Sequence, residues 1–194
     1  MMKRDECLAL LAARVREEAI VATYQAAFDW MRIAPRDLNY LSIGAMGLAS
    51  SHGLGLALGR PDRRVIVLDG DGSLLMNLGS LATVAEAAPR NFVHLVCVNR
   101  AYEANGNHPL PAAERLDFAA LARGAGIANT GTLATLDAFA AALDEILTAP
   151  GPVFRALEVA PGAPSPQDYA YIHGAETRAR FKAAFARPIR TASP

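Results

Sequence analysis

Apolar positions along the chain switch repeatedly between helical spacing and unbroken short runs. Leu8, Leu10, Leu11 and Val15 share one stripe and predict a helix from Lys3 to Arg16. Ala19–Thr23 predicts a short strand, and Gln25–Ile33 a second helix that ends before Pro35. Gly47–Leu58 predicts a third helix, in which Gly53 and Gly55 allow close packing. The run Arg64-Val65-Ile66-Val67-Leu68 is apolar throughout and of strand length. It ends in Asp69-Gly70-Asp71-Gly72-Ser73, after which Leu75–Ala88 returns to helical spacing. Phe92–Val98 predicts another buried strand, followed by an irregular loop from Asn99 to Glu114. Leu116–Arg123 and Thr135–Leu147 predict two more helices. Gly124 and Gly126 stop the first; Thr135 caps the second and Pro150-Gly151-Pro152 ends it. Val153–Val159 predicts a last strand and Ala175–Ala186 a last helix.

Apolar strands alternating with helices imply an α/β fold, a single doubly wound parallel sheet with helices on both faces. Residues 1–160 are expected to form that domain. Residues 161–194 are expected to form a proline-rich linker, Pro161–Pro166, and a C-terminal helix that packs on the domain or on a partner. At 194 residues the chain has room for one sizeable core. Its 52% hydrophobic and 20% charged content is not that of a disordered chain. Lys+Arg and Asp+Glu both number 19, so the basic footprint that nucleic-acid binding needs is missing. No run approaches the roughly 18 apolar residues of a membrane span. With no signal peptide evident, a cytoplasmic location is expected. Two cysteines, Cys7 and Cys97, are too few for a disulfide framework or a four-cysteine cluster.

The chemistry concentrates after two strands. Open parallel sheets bind ligands beyond the carboxyl ends of their strands. Gly70 and Gly72 let a bulky anion approach the backbone, and the following helix start favours negative charge. Asp71 and Asn99 are both hard oxygen donors suited to Mg²⁺. Asp-Gly repeats and strand-end asparagines also mark ordinary turns. Here, however, the two residues stand 28 apart with one helix and one strand between them. A right-handed crossover of that length brings both to the same end of adjacent strands.

Gly70-Asp71-Gly72-Ser73 closed by Asn99 resembles the cofactor motif of thiamine diphosphate-dependent decarboxylases, in their C-terminal, diphosphate-binding domain. Gly44-Ala45-Met46-Gly47-Leu48-Ala49-Ser50-Ser51 is similar to the segment preceding that site, and the likeness runs from about Ala19 to Val159. Within the group, Gly72–Thr83 and the Glu-x-x-Gly-x-x-Pro loop at Glu103–Pro109 look like sulfopyruvate decarboxylase β-chains and phosphonopyruvate decarboxylases. The resemblance implies Mg²⁺ ligation by Asp71, Asn99 and the Ala101 carbonyl. It implies that Gly70, Gly72, Ser73 and Tyr102 contact the cofactor, that Gly44 offers its carbonyl to the aminopyrimidine, and that Met46 props the cofactor's bend.

Two stretches depart from the pattern. A Thr-Gly-x-Thr-Ser type loop reads Thr23-Tyr24-Gln25-Ala26-Ala27 here, leaving Gln25 as the substitute diphosphate donor. A Thr-Gly-Gly-Gln-Pro loop reads Asn105-Gly106-Asn107-His108-Pro109, which makes Asn105 and His108 the candidate catalytic contacts to an anionic substrate. A surface-loop position is the competing reading for His108, His52 and His94 read as packed side chains, and Glu103 reads as a loop contact. The glutamate that activates the cofactor lies, in this group, on a separate pyrimidine-binding domain. The resemblance therefore implies a β-type subunit, completed by a pyrimidine-binding α subunit in an α₂β₂ assembly. The implied reaction is decarboxylation of a small 2-oxo acid, sulfopyruvate- or phosphonopyruvate-like. A carboligase of the same group and a non-catalytic, cofactor-binding homodimer are the alternatives.

Overall fold

The computed structural model describes residues 1–42, 46–160, 162 and 165–189. The chain opens with helix α1 (Arg4–Arg14), strand β1 (Ala19–Thr23), helix α2 (Tyr24–Ile33) and strand β2 (Asn39–Ser42). Helix α3 (Ala49–Gly59), strand β3 (Val65–Gly70), helices α4 (Asp71–Leu75) and α5 (Gly79–Ala87) and strand β4 (Phe92–Val98) follow. A miniature hairpin, β5 (Ala101–Tyr102) and β6 (His108–Pro109), interrupts the next loop. The remainder is α6 (Phe118–Gly124), β7 (Asn129–Leu133), α7 (Leu136–Thr148), β8 (Val153–Glu158), α8 (Tyr169–His173) and α9 (Ala175–Ala186).

Six strands form one parallel sheet in the order β2-β1-β3-β4-β8-β7. Successive strand residues feed opposite faces. Ile20, Ala22, Ile66, Leu68, Val93 and Leu95 pack against α1, α2 and α7. Ala19, Val21, Val65, Val67, Phe92 and Val96 pack against α3, α5 and α6. Burial on both faces explains why the three central runs carry almost no polar residues. The exceptions are Thr23, Asp69 and His94; His94 is buried between Phe92 and Phe154, and its Nε2 lies 3.3 Å from Asp69 Oδ2.

The doubly wound sheet agrees with the sequence pattern, and several boundaries do not. Both edge strands, β2 and β7, escaped it. β2 has four residues and β7 reads Asn-Thr-Gly-Thr-Leu, so neither makes an apolar run. The helix expected over Gly47–Leu58 starts at Ala49, because Gly47 has φ +82°, outside the right-handed region. The single helix expected over Leu75–Ala88 is two helices. α4 starts at Asp71, directly at the strand end, and Met76–Leu78 break the run. The break is stabilised by Asn77, whose Nδ2 donates to the Gly47 carbonyl at 2.9 Å. Helix α1 ends at Arg14, two residues early. Thr135 does cap α7, its hydroxyl accepting from Ala138 N–H at 3.3 Å. Helix α8 has five residues, too few for a periodic signal. Of the Pro161–Pro166 linker, residues 161, 163 and 164 lie outside the described residues. Helix α9 packs on the domain through Phe181, edge-on to Tyr40 at 5.4 Å.

Candidate active site

The parallel pairing of β3 with β4 sets Gly70 beside Cys97, so the segments that leave the two strands start side by side. Asp71 opens one and Asn99 the other. Asp71 is 1% exposed. Its Oδ1 accepts from Gly72 N–H at 2.8 Å and its Oδ2 from Arg100 N–H at 2.6 Å, which ties the two loops together. Burial raises its pKa to about 6 against the opposing pull of backbone N–H groups from Arg100, Gly72 and Asn99. A cation beside it would relieve that desolvation. Asn99 donates from Nδ2 to Glu103 Oε2 at 2.7 Å, and its Oδ1 accepts from Ala101 N–H at 3.1 Å.

These residues line a cleft of about 430 Å³ with Arg4, Thr23, Gln25, Met46, Asp69 and Tyr102. Gly70 borders it with no described atom within 4 Å of where a Cβ would stand. Gly72 is glycine for another reason: a Cβ there would sit 2.6 Å from Tyr102 Cδ1. Ser73 Oγ accepts from Gly47 N–H at 3.0 Å, which fixes the backbone beside Met46 and leaves the serine proton free to donate. Thr23 Oγ1 and Gln25 Oε1 are buried with no hydrogen-bond partner among the described residues, although Thr23 occupies the N-cap position of α2. Tyr24, which turns the chain from β1 into α2, and Arg100, which follows Asn99, have φ of +48° and +63°. Left-handed conformations at such residues are strained and are held by their surroundings.

The donor set suits a hard cation with an oxyanion. Asp69, Asp71 and Glu103 give the cleft an excess of acid, and Arg4 is the sole cationic side chain among the described residues that line it. Arg4 is itself occupied by Asp29 and Glu103. A metal ion would offset that excess of acid for an anionic ligand. No three His, Cys, Asp or Glu side chains among the described residues are grouped so as to hold a metal ion by themselves. A metal here would rely on one carboxylate, amide and carbonyl oxygens and the ligand's own oxygens, as Mg²⁺ does with phosphates.

Of the residues singled out from sequence, Gln25, Met46, Gly70, Asp71, Gly72, Ser73, Asn99, Ala101 and Tyr102 all line this cleft. Gly44 lies outside the described residues. Asn105, between the strands of the β5–β6 hairpin, and His108, the first residue of β6, are both exposed and do not line the cleft. His52 packs edge-on to Tyr40 at 5.4 Å, away from the cleft lining. Sequence reasoning missed Arg4 and the idle hydroxyl of Thr23; the threonine kept from the family loop was the available signal for the second.

A parallel α/β sheet carrying this cleft at its strand ends is the architecture of a thiamine diphosphate-binding domain. The chain belongs to the thiamine pyrophosphate enzyme family, whose C-terminal TPP binding domain it matches over residues 21–156. It is 37% identical over 187 residues to a phosphonopyruvate decarboxylase of Streptomyces viridochromogenes, covering 95% of this chain and 47% of that protein. The chain thus spans about half the length of that relative. It is 35% identical to the sulfopyruvate decarboxylase subunit beta of Methanothermobacter thermautotrophicus, covering 84% of each chain. Benzoylformate decarboxylase from Polynucleobacter necessarius shares the fold, with TM-score 0.70 at 22% identity over 84% of this chain and 34% of that one.

Proposed function

We propose that this chain is the diphosphate-binding β subunit of a thiamine diphosphate- and Mg²⁺-dependent decarboxylase acting on a small 2-oxo acid with an anionic 3-substituent. The observation that carries this reading is the buried Asp71 carboxylate, tied through Arg100 N–H to the Asn99 loop at the ends of adjacent strands. The names of the relatives supply the substrate class: phosphonopyruvate for one, sulfopyruvate for another. The beta-subunit relative, matched over 84% of its length, supports a separate pyrimidine-binding α subunit, in the simplest case as α₂β₂.

In this reading Asp71 Oδ2, Asn99 Oδ1 and the Ala101 carbonyl hold Mg²⁺. The Thr23 and Ser73 hydroxyls and the Gln25 amide hold the diphosphate, with Gly70 leaving its backbone open to it. Met46, half-buried at the cleft wall, supplies an apolar support, and Tyr102 closes the side above Gly72. When bound, thiamine diphosphate supplies the electron sink for loss of CO₂. Asn105 and His108, exposed on the hairpin, meet the substrate's anionic end once the partner surface is docked against them. No helix among the described residues is long and apolar enough to cross a membrane, and a cytoplasmic location is part of the same proposal.

The test is CO₂ release from sulfopyruvate, phosphonopyruvate and pyruvate by the protein purified from its own host with any accompanying chain. Mg²⁺- and thiamine diphosphate-dependent release from an anionic 3-substituted pyruvate is expected. Condensation of the 2-oxo acid with an aldehyde and no net aldehyde product would instead favour the carboligase. Purification as a homo-oligomer without a pyrimidine-binding chain or domain would contradict the subunit assignment.

A further inference from the structure

Arg4 is 6% exposed, although it stands in the first turn of a helix at the start of the described chain. Its place is set by the sheet. Met2 bridges in parallel to Val159, with Met2 N–H donating to the Glu158 carbonyl at 3.2 Å and Ala160 N–H to the Met2 carbonyl at 2.8 Å. Residue 4 is thereby delivered to the strand end next to Asn99. There its guanidinium is divided between two carboxylates. Nε donates to Asp29 Oδ2 at 2.6 Å, while the terminal nitrogens reach Glu103 Oε2 at 2.5 Å and Oε1 at 3.2 Å. Asp29 is anchored in turn by the Ser165 hydroxyl, which donates to its Oδ1.

Glu103 Oε2 also receives Asn99 Nδ2 at 2.7 Å. An ionised carboxylate only accepts, so it takes the NH₂ end of the amide. The Ala101 N–H, which only donates, takes the oxygen end at 3.1 Å. Both neighbours therefore select one amide orientation, with the oxygen on the Ala101 side. An amide turned the other way would offer a cation its NH₂ group.

We infer that Arg4 is a positioning residue for the metal loop: by holding and neutralising Glu103, it makes Glu103 fix the orientation of the Asn99 amide. The inference rests on the metal reading of Asp71 and Asn99 given above. Without the guanidinium, the Glu103 carboxylate is an uncompensated buried charge. It either turns away from Asn99 or faces the incoming diphosphate as a like charge, and both weaken binding.

The experiment is calorimetric titration of thiamine diphosphate at saturating MgCl₂ into the protein from its own host, with any accompanying chain. Arg4→Met keeps the side-chain bulk and removes the charge; it is expected to lose about 10–100-fold in affinity, the usual effect of removing an outer-shell partner. Adding Glu103→Gln to Arg4→Met should recover most of that loss, because the carboxylate has gone and an acceptor for Asn99 remains. If Arg4 merely pinned α1 to α2 through Asp29, the second substitution would recover nothing, and that result overturns the inference. Should Arg4→Met not yield folded protein, Glu103→Ala and Glu103→Gln make the second test with Arg4 intact. Glu103→Ala, lacking any acceptor, should lose several-fold more affinity than Glu103→Gln; equal losses overturn the inference. No Mg²⁺-dependent binding by the unmodified protein would overturn the cofactor reading and this inference with it. Binding by the unmodified protein together with an undiminished affinity in Arg4→Met would overturn this inference alone.

Discussion

The two glycines flanking Asp71 respond to the same substitution in opposite ways, because different things occupy the space beside them. Gly70 has φ −108° and ψ 154°, a conformation alanine adopts freely, and no described atom lies within 4 Å of its would-be Cβ. Gly70→Ala should leave the ligand-free protein unchanged or stabilise it by about 0.4–1 kcal/mol through a less flexible unfolded chain. Because Gly70 lines the cleft, its added methyl group is expected to meet the ligand. An added methyl in a filled contact costs about 1–3 kcal/mol, or roughly 5–150-fold in affinity. At Gly72 the methyl would stand 2.6 Å from Tyr102 Cδ1, 3.0 Å from Cε1 and 3.4 Å from Leu110 Cδ2. The ring must move, at a similar cost of about 1–3 kcal/mol, partly offset by about 1 kcal/mol of helix propensity. Gly72→Ala should therefore destabilise the ligand-free protein by up to about 2 kcal/mol and shift the hairpin that carries the Ala101 carbonyl. Urea unfolding without ligand and calorimetry with Mg²⁺ and thiamine diphosphate separate the two effects. Undiminished binding by Gly70→Ala would refute the argument that its open side belongs to the ligand.

Helix α3 offers a comparable pair in the core. A Cβ on Gly53 would overlap Val67 Cγ2 and meet Phe92 Cε2 at 3.1 Å, whereas one on Gly55 meets no described atom within 4 Å. Thermal unfolding should show Gly53→Ala destabilised by about 1–3 kcal/mol and Gly55→Ala stabilised by about 0.5–1 kcal/mol; equal shifts would contradict the packing. Burial pushes the Cys7 thiol up to about 12, with Glu6 adding to it, and burial likewise pushes Cys97 up to about 12. Neither thiol should react with a disulfide reagent at pH 8 until the protein is unfolded, and fast modification of either would contradict its burial. The same shifts have a definite sign for stability. The folded protein keeps these protons over a range in which the unfolded chain loses them, so stability should fall as pH rises from 9.0 towards about 12.

The interior of the sheet was legible because strands buried on both faces must be largely apolar, as Val65–Leu68 is throughout and Phe92–Val98 is except for His94. Its edges were not. Asn39–Ser42 and Asn129–Leu133 are half-buried and short, so nothing in their pattern separates them from loops. The cofactor face was legible where local chain chemistry dictates it: glycines beside an aspartate, and a second oxygen donor one crossover later. Gly47 was misassigned to a helix because its left-handed turn is imposed from 30 residues away, where the Asn77 Nδ2 takes its carbonyl. Arg4 was invisible for the same kind of reason. Its partners, Asp29 and Glu103, lie 25 and 99 residues along the chain, and only the bridge from Met2 to Val159 brings it to them.

The central claim is that Asp71 and its neighbours hold a metal–diphosphate pair, and isothermal titration of thiamine diphosphate into the protein and its Asp71→Ala variant tests it most directly. Binding should require Mg²⁺, disappear in excess chelator, and be absent from Asp71→Ala while its circular dichroism matches that of the parent. Equally tight binding in chelator, or in Asp71→Ala, would contradict the account.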